Sequence, residues 1–334
     1  MLTLKKTGAM VLVQDSGRFG SQHVGVGPSG PMDWIAHHLV NIAVGNSLGN
    51  GAIEIAGDRA EIEFHRDSIA SISGRAGIIG KQSIPQNRPF LVREGQTLKF
   101  AGGPGPLRSY LGVAGGIVST PVMGSVSGST VASLGQYLPG GLPVNSRLQT
   151  GVESEWANAW RLWFIQSGKN YPNWSCNPLI AYAGERGLRV RVIREDRNEC
   201  SDEDWAGLIS SPYEISLQSN RMGYRLDGPA LTSKSNSVVS RAVVTGAIQL
   251  PPSGNPIILL SDRQTVGGYP ILGYVASIDL PILARAHPKS FVSFTQIRHS
   301  DAQKKYVDLH RLLSFVEISL SKRLPSRFLQ DMAV

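Results

Sequence analysis

The sequence predicts a mainly β protein with few helices, and three observations carry that expectation. Glycine and proline are abundant, 37 and 20 residues in a chain of 334, which favours many short strands and turns over long helices. The apolar runs are short, β-branched and closed by turn residues, as in Pro256-Ile257-Ile258-Leu259-Leu260. Only two stretches hold a sustained helical spacing. Hydrophobic content of 41% against 17% charged belongs to a folded globular chain, and the length suffices for two cores.

Taken in order, Met10 to Val13 reads as a strand, followed by a glycine-rich loop to about residue 30. Asp33 to Gly45 reads as an amphipathic helix with Ile35, Leu39 and Ile42 on one face, Asp33 as N-cap and Gly45 as the C′ stop. From 52 to 116 strands follow one another, with Ile53, Ile55, Ile62, Phe64, Ile69 and Ile72 at β positions and turns at Gly57-Asp58, Arg66-Asp67, Gly80-Lys81 and Gly102-Gly103. Residues 117–148 read as a long surface segment, most polar over Ser125–Thr130. Residues 151–186 hold Trp156, Trp160, Trp163 and Trp174 and read as a connector. A second β-rich stretch runs from Leu188 to Phe294. The tail carries Tyr306, Leu309, Leu312, Leu313 and Val316 at helical spacing, as an amphipathic helix for docking or homo-oligomerisation. The expected boundaries are an N-terminal β-rich domain over 1–150, a connector over 151–186, a C-terminal domain over 187–297 and a helical tail over 298–334.

The net charge of +8 suits a small anionic substrate such as a carboxylate or ATP. The basic residues are scattered without an aromatic-interleaved stripe, so nucleic acid is not an expected partner. Cys176 and Cys200 are not spaced as a metal site. No signal-like segment and no run approaching ~20 apolar residues is present, so the expected setting is the reducing cytoplasm, without a membrane.

The most chemical stretch is Ser261-Asp262-Arg263-Gln264-Thr265-Val266-Gly267-Gly268-Tyr269-Pro270. It follows a buried apolar run, where a core would not want charge. Gly267 and Gly268 permit positive φ and let a ligand approach the backbone, where successive N–H groups can cradle an anion. The plainer reading is a hairpin tip with Asp262 and Arg263 as a surface ion pair, worth ~0–1 kcal/mol. Gln14, Asp15 and Arg18 lie in a loop after a strand, either as ligand contacts or as a self-satisfied turn. Arg221 precedes Met222-Gly223 and either clamps an anion or pairs with a residue such as Asp227. Gln249 ends an apolar strand, where its amide serves a substrate or a strand edge. Ser29-Gly30 is a flexible loop without the Gly-x-Ser-x-Gly elbow of a serine nucleophile, because Pro31 stands at the second glycine. No His-Glu-x-x-His or cysteine cluster suggests a metal. Arg75 and Gln82 break the Walker A pattern over Gly74–Ser83.

These stretches occur in a recognisable order: Gln14-Asp15-Ser16-Gly17-Arg18, Gly25 to Asp33, Asn41, Gly45-Asn46, Ile53-Glu54-Ile55, Ser219 to Pro229, Thr245 to Pro256, and Ser261 to Pro270. Between about 10 and 295 the set resembles the allophanate-hydrolase subunit 2 family, also called the biotin-dependent carboxyltransferase family, which contains the C subunit of bacterial 5-oxoprolinase. The resemblance implies cyclophilin-like β-barrel domains in tandem. It implies a component of an ATP-dependent 5-oxoprolinase, a hydrolase opening the cyclic amide of 5-oxo-L-proline to L-glutamate, with a subunit-1-like B partner and an A-type partner. ATP would be shared with those partners. No Ala-Met-Lys-Met segment offers a lysine for covalent biotin.

On that footing Asp15 and Asp262 are the candidate acid–base groups, with Arg263 beside them and Gln264 and Thr265 orienting substrate or water. Gln14, Arg18, Ser29, Gly30, Asp33, Arg221, Gln249, Gly267, Gly268 and Tyr269 are the candidate binding residues. Arg18 and Arg221 are expected to hold carboxylate or acyl-phosphate groups in one cleft between two β-rich halves. Two other roles fit the family: a carboxyltransferase component fed by carboxybiotin, and a non-enzymatic regulator binding a subunit-1-like antikinase. Two stretches depart from the family. Ser240-Arg241-Ala242 sets a cation where an anion is common, and Arg285-Ala286-His287-Pro288-Lys289-Ser290 keeps only the proline of a Gln-x-x-Pro-Gly-Asp pattern.

Overall fold

The computed structural model describes residues 1–132, 141–176, 188–195, 201–232 and 238–323. Strands dominate, with five α-helices among the described residues. The chain divides into two compact units, one from residues 1–17, 34–180 and 311–334, the other from 18–33 and 181–310. The glycine-rich loop 18–33 therefore leaves the N-terminal half and belongs to the second unit. A linear division at 150 does not capture that excursion.

The first unit is built on two antiparallel sheets. One has seven strands in the order Ile117–Val118, Arg147–Thr150, Leu2–Lys6, Glu61–Phe64, Thr97–Phe100, Gly77–Ile79, Gln82–Ile84. The other has five: Met10–Gln14, Ala52–Ala56, Arg108–Val113, Ser68–Ser73, Phe90–Val92. Alternate residues of both sheets share one core, Leu2, Leu4, Ile62 and Phe64 from the first meeting Val11, Ile53, Ile72 and Leu111 from the second. Every residue of Ser68–Ser73 and Arg108–Val113 is buried, because the outer face of the five-stranded sheet is also covered. Two helices cover it: α1, Trp34–Ala43, and α2, Glu155–Ser167. Gly45 ends the α1 region with φ 72°, a conformation that disfavours any side chain.

The described part of the segment read as a connector, 151–176, is thus part of this unit. Ser154 caps α2 by accepting from Ala157 N–H, and Gly168 closes it in the left-handed region. Trp160 and Phe164 pack with Ile69 and Leu91 of the sheet. The serines read as surface are also inside: Ser125, Ser127 and Ser129 are all buried. The broken Walker-like segment contributes the paired strands Gly77–Ile79 and Gln82–Ile84.

The second unit is a closed barrel of seven strands: Leu188–Arg194, Ile271–Val275, Ala247–Gln249, Ile257–Leu259, Gly223–Asp227, Tyr213–Ile215 and Phe291–Gln296. Closure is made by a parallel pairing of Leu188–Arg194 with Phe291–Gln296. Val190, Val192, Tyr224, Leu226, Ile248, Ile258 and Leu272 point inward, and Met32 from the 18–33 loop joins them. Closure removes the exposed edges that short strands would otherwise present. α3, Asp202–Ser210, starts at Ser201, whose side chain accepts from Asp204 N–H, and α4, Leu280–Arg285, starts with proline in its first turn. α5 runs His299–Ser321, its residues up to His310 counted with this unit and those from Arg311 with the first; Leu313 and Leu320 are buried and Phe315 and Ile318 exposed. No described helix is long and apolar enough to cross a membrane.

Candidate functional site

The strand Ile257–Leu259 delivers the Ser261–Pro270 stretch to one end of the barrel, and the structure separates its two charges. Asp262 and Arg263 do not pair with each other. Asp262 is fully buried against Arg221: Arg221 Nε donates to Oδ2 at 3.0 Å and Nη2 to Oδ1 at 3.1 Å. Arg221 Nη2 also donates to Gly30 O at 2.7 Å, and Asp262 N–H donates to Arg221 O at 2.9 Å. Both carboxylate oxygens are therefore committed to a guanidinium, an arrangement for fixing two loops rather than for taking up a proton. The expected partner Asp227 is not the one used.

Arg263 is the opposite case. It is 6% exposed, yet its Nε and Nη1 are buried with no hydrogen-bond partner among the described residues. Burial lowers its pKa below the ordinary arginine value, but a guanidinium stays charged in neutral water. A buried cation without an acceptor costs stability. It is the kind of group that an incoming anion satisfies.

Next to it in the chain, Gln264 lines a pocket of 230 Å³ together with Gln249 and Tyr269. Gln264 Nε2 donates to Gln249 Oε1 at 3.3 Å. Gln249 is 1% exposed and its Nε2 has no acceptor among the described residues. Asn220, Met222 and Gly223 also line it; all three stand in the Ser219–Pro229 stretch, where sequence reading put the candidate contact on Arg221. The pocket thus offers an unfilled amide donor and a phenol, and the residue before Gln264 in the chain carries the unpaired guanidinium.

The glycines serve another purpose than expected. Neither Gly267 nor Gly268 has positive φ. A Cβ on Gly267 would stand 2.4 Å from Gln249 Nε2, so glycine here makes room for the pocket's own amide. Thr265 is buried, and its carbonyl accepts from Val243 N–H at 3.1 Å. Arg241 pairs directly with Gly267 across a two-stranded ladder.

Arg18 and Arg221 fall in the same unit, not in two halves, and both are 1% exposed. Arg18 N–H donates to Pro28 O at 2.6 Å. Ser29 and Gly30 are consecutive left-handed residues, φ 53° and 86°, which turn the Gly30 carbonyl into reach of Arg221. Asp33 is buried, with Arg285 Nη1 3.9 Å away.

Asp15 and Gln14 belong to the first unit. Asp15 Oδ1 accepts from Ser125 Oγ and Ser127 Oγ, each at 2.6 Å, and from Gly17 N–H at 2.9 Å; Oδ2 accepts from Val126 N–H at 2.8 Å. Burial alone would raise this carboxyl's pKa, but the donors outweigh it and hold it below the ordinary carboxylate value. Such a saturated carboxylate anchors the 125–127 loop. Sequence reading missed Ser125 and Ser127 as its partners because serine runs read as surface. Gln14 donates to Gly128 O at 3.0 Å, and its carbonyl lies 2.9 Å from His37 Nε2. Burial keeps His37 below its usual pKa, so the ring is neutral and donates. No group of three or more His, Cys, Asp or Glu placed to hold a metal exists among the described residues; Cys200 lies outside them.

The comparisons with known proteins agree with this architecture. A family model described as carboxyltransferase domain, subdomain A and B, matches residues 24–296. The chain is 29% identical over 326 residues to the 5-oxoprolinase C subunit of Escherichia coli (strain K12), covering 93% of this chain and 96% of that one. It is 30% identical over 314 residues to the 5-oxoprolinase C subunit of Haemophilus influenzae, covering 91% and 94%. The solved urea carboxylase of Kluyveromyces lactis has the same fold, with a TM-score of 0.83 at 22% identity over 98% of this chain and 30% of that one. This chain belongs to the carboxyltransferase domain family, subdomains A and B.

Proposed function

We propose that this protein is the C subunit of an ATP-dependent 5-oxoprolinase complex that hydrolyses 5-oxo-L-proline to L-glutamate. The observation that carries the reading is the end-to-end match with two 5-oxoprolinase C subunits, over more than nine-tenths of each chain. The urea carboxylase, by contrast, is matched over only 30% of its length. On this reading the chain works with a subunit-1-like B partner and an A-type partner, and carries no covalent biotin.

The pocket chemistry fits that substrate. 5-Oxoproline is a small ring with a carboxylate and a lactam, and a volume of 230 Å³ suits it. Arg263 takes the carboxylate, which gives its unpaired guanidinium an acceptor. Gln249 Nε2 donates to the lactam oxygen, where negative charge develops as water attacks the carbonyl carbon. Gln264 holds the Gln249 amide in that orientation. Tyr269 completes the binding wall, and Thr265, buried behind the turn, holds it through its carbonyl. Arg221 and Asp262, with Gly30, position the arginine-bearing turn. Asp15, Gln14, Arg18, Ser29 and Asp33 act indirectly, by holding loops. ATP, shared with the partner subunits, supplies the driving force for opening a stable lactam; Gly74–Ser83 of this chain forms paired strands rather than a phosphate loop.

The test is reconstitution. The chain mixed with its two partner subunits releases glutamate from 5-oxoproline only with ATP, and each of the three alone releases none. Turnover by the isolated chain overturns the reading. Activity that instead requires a biotin carboxylase and bicarbonate assigns the chain to carboxyl transfer.

A further inference from the structure

A second pocket lies in the first unit, at the end of α2, and the proposed reaction makes no use of it. Its volume is 720 Å³, within the range of sites that hold molecules larger than a single amino acid. The floor is aromatic. Trp160 and Trp163 come from α2, and Tyr171 and Trp174 from the segment that follows. Trp160 meets Trp163 and Trp174 edge to face, with centroids 5.3 and 5.6 Å apart.

The rim is cationic: Arg88, Lys169, Lys322 and Arg323 line it, with no carboxylate among the described lining residues. Three of these cations have contacts that hold them in place. Trp160 Nε1 donates to Arg323 O at 3.0 Å, and Trp156 Nε1 to Leu320 O at 2.8 Å. Lys169 Nζ stands 5.5 Å from the Trp163 centroid, and the Arg323 guanidinium carbon 5.7 Å from that of Trp174. Arg88 Nη1 donates to Pro172 O at 3.0 Å, while its Nε is buried without an acceptor among the described residues. The positive field reaches inward as well. Burial pushes the Cys176 thiol up to about 12, and the charges of Arg88 and Arg323 oppose that rise.

Four like charges around one hollow repel each other, and nothing in the barrel's chemistry calls for them. An anion relieves that repulsion, and half-buried indole faces bind a flat ring. We propose that this pocket is a separate binding site for a small aromatic anion of the mononucleotide class, with its base on the tryptophans and its phosphate among Arg88, Lys169, Lys322 and Arg323.

The experiment is calorimetric titration of the purified full chain with adenosine, inorganic phosphate and AMP. AMP is expected to bind at least about tenfold more tightly than either fragment, because only AMP engages both rings and charges. Lys169→Glu and Arg323→Glu reverse exposed charges and are expected to weaken AMP by about tenfold or more with unchanged melting temperatures. Trp163→Leu is expected to weaken adenosine and AMP but not phosphate; should that variant fail to fold, the two charge reversals decide. AMP binding no tighter than phosphate, absence of AMP binding, or charge reversals without effect each overturn the proposal. A single-stranded oligonucleotide binding about tenfold more tightly than AMP also overturns it, in favour of nucleic acid.

Discussion

Asp15 shows how far a single residue's role can be read from its neighbours in sequence. An aspartate after a strand, followed by glycine and arginine, suggests chemistry or a local turn. The structure supplies two serines more than a hundred residues away, both buried and both donating to it. That contact is long-range, and no local pattern reveals it. The sign of its pH dependence follows. The folded carboxyl titrates below its unfolded value of about 3.9. Its contribution is therefore full above that unfolded value and is lost as pH falls through the lower, folded pKa. In urea melts, wild type is expected to exceed Asp15→Asn in stability at pH 7, with the gap shrinking below about pH 4. A gap that is constant with pH contradicts this account of Asp15.

At the scale of elements, the turn after Ile257–Leu259 was legible as a special place, but the assignment of its charges was not. Alternation along a strand tells which residues face opposite sides; it does not tell which arginine reaches which aspartate. Arg221 takes Asp262 because the two strands that carry them are paired, Gly223 opposite Leu259. Asp262→Ala is thus expected to leave Arg221 as an uncompensated buried charge and to cost about 3–5 kcal/mol, read as a lowered urea midpoint. An unchanged midpoint contradicts the pairing. The strands and α1 were legible because their periods are clean. α2 was not, since its three tryptophans obscured its apolar face, although Ser154 and Gly168 bracket it as caps. Lys289 holds φ 71°, a left-handed conformation that costs a side chain more than it would cost glycine.

For the whole molecule, composition indicated a β-rich chain, but composition cannot close a barrel. Closure depends on Leu188–Arg194 pairing in parallel with Phe291–Gln296, two strands about a hundred residues apart. Nor does a linear reading show that residues 18–33 fold with residues 181–310. Of the candidate residues, Gln249, Gln264 and Tyr269 line one pocket, Gly267 makes room for the Gln249 amide, and Arg263 precedes Gln264 in the chain. The central claim is that Arg263 is kept buried and unpaired for an anionic substrate, at a cost to the fold. The most direct measurement compares Arg263→Met with wild type, following melting temperature and glutamate release in the reconstituted complex. The account predicts an equal or higher melting temperature, since an apolar side chain of similar length removes an unsatisfied buried charge. It also predicts a fall in kcat/KM of roughly 10- to 100-fold, the loss of one charge-assisted contact. A lower melting temperature with unchanged kcat/KM would show instead that Arg263 is a structural residue of the barrel, and would contradict the account.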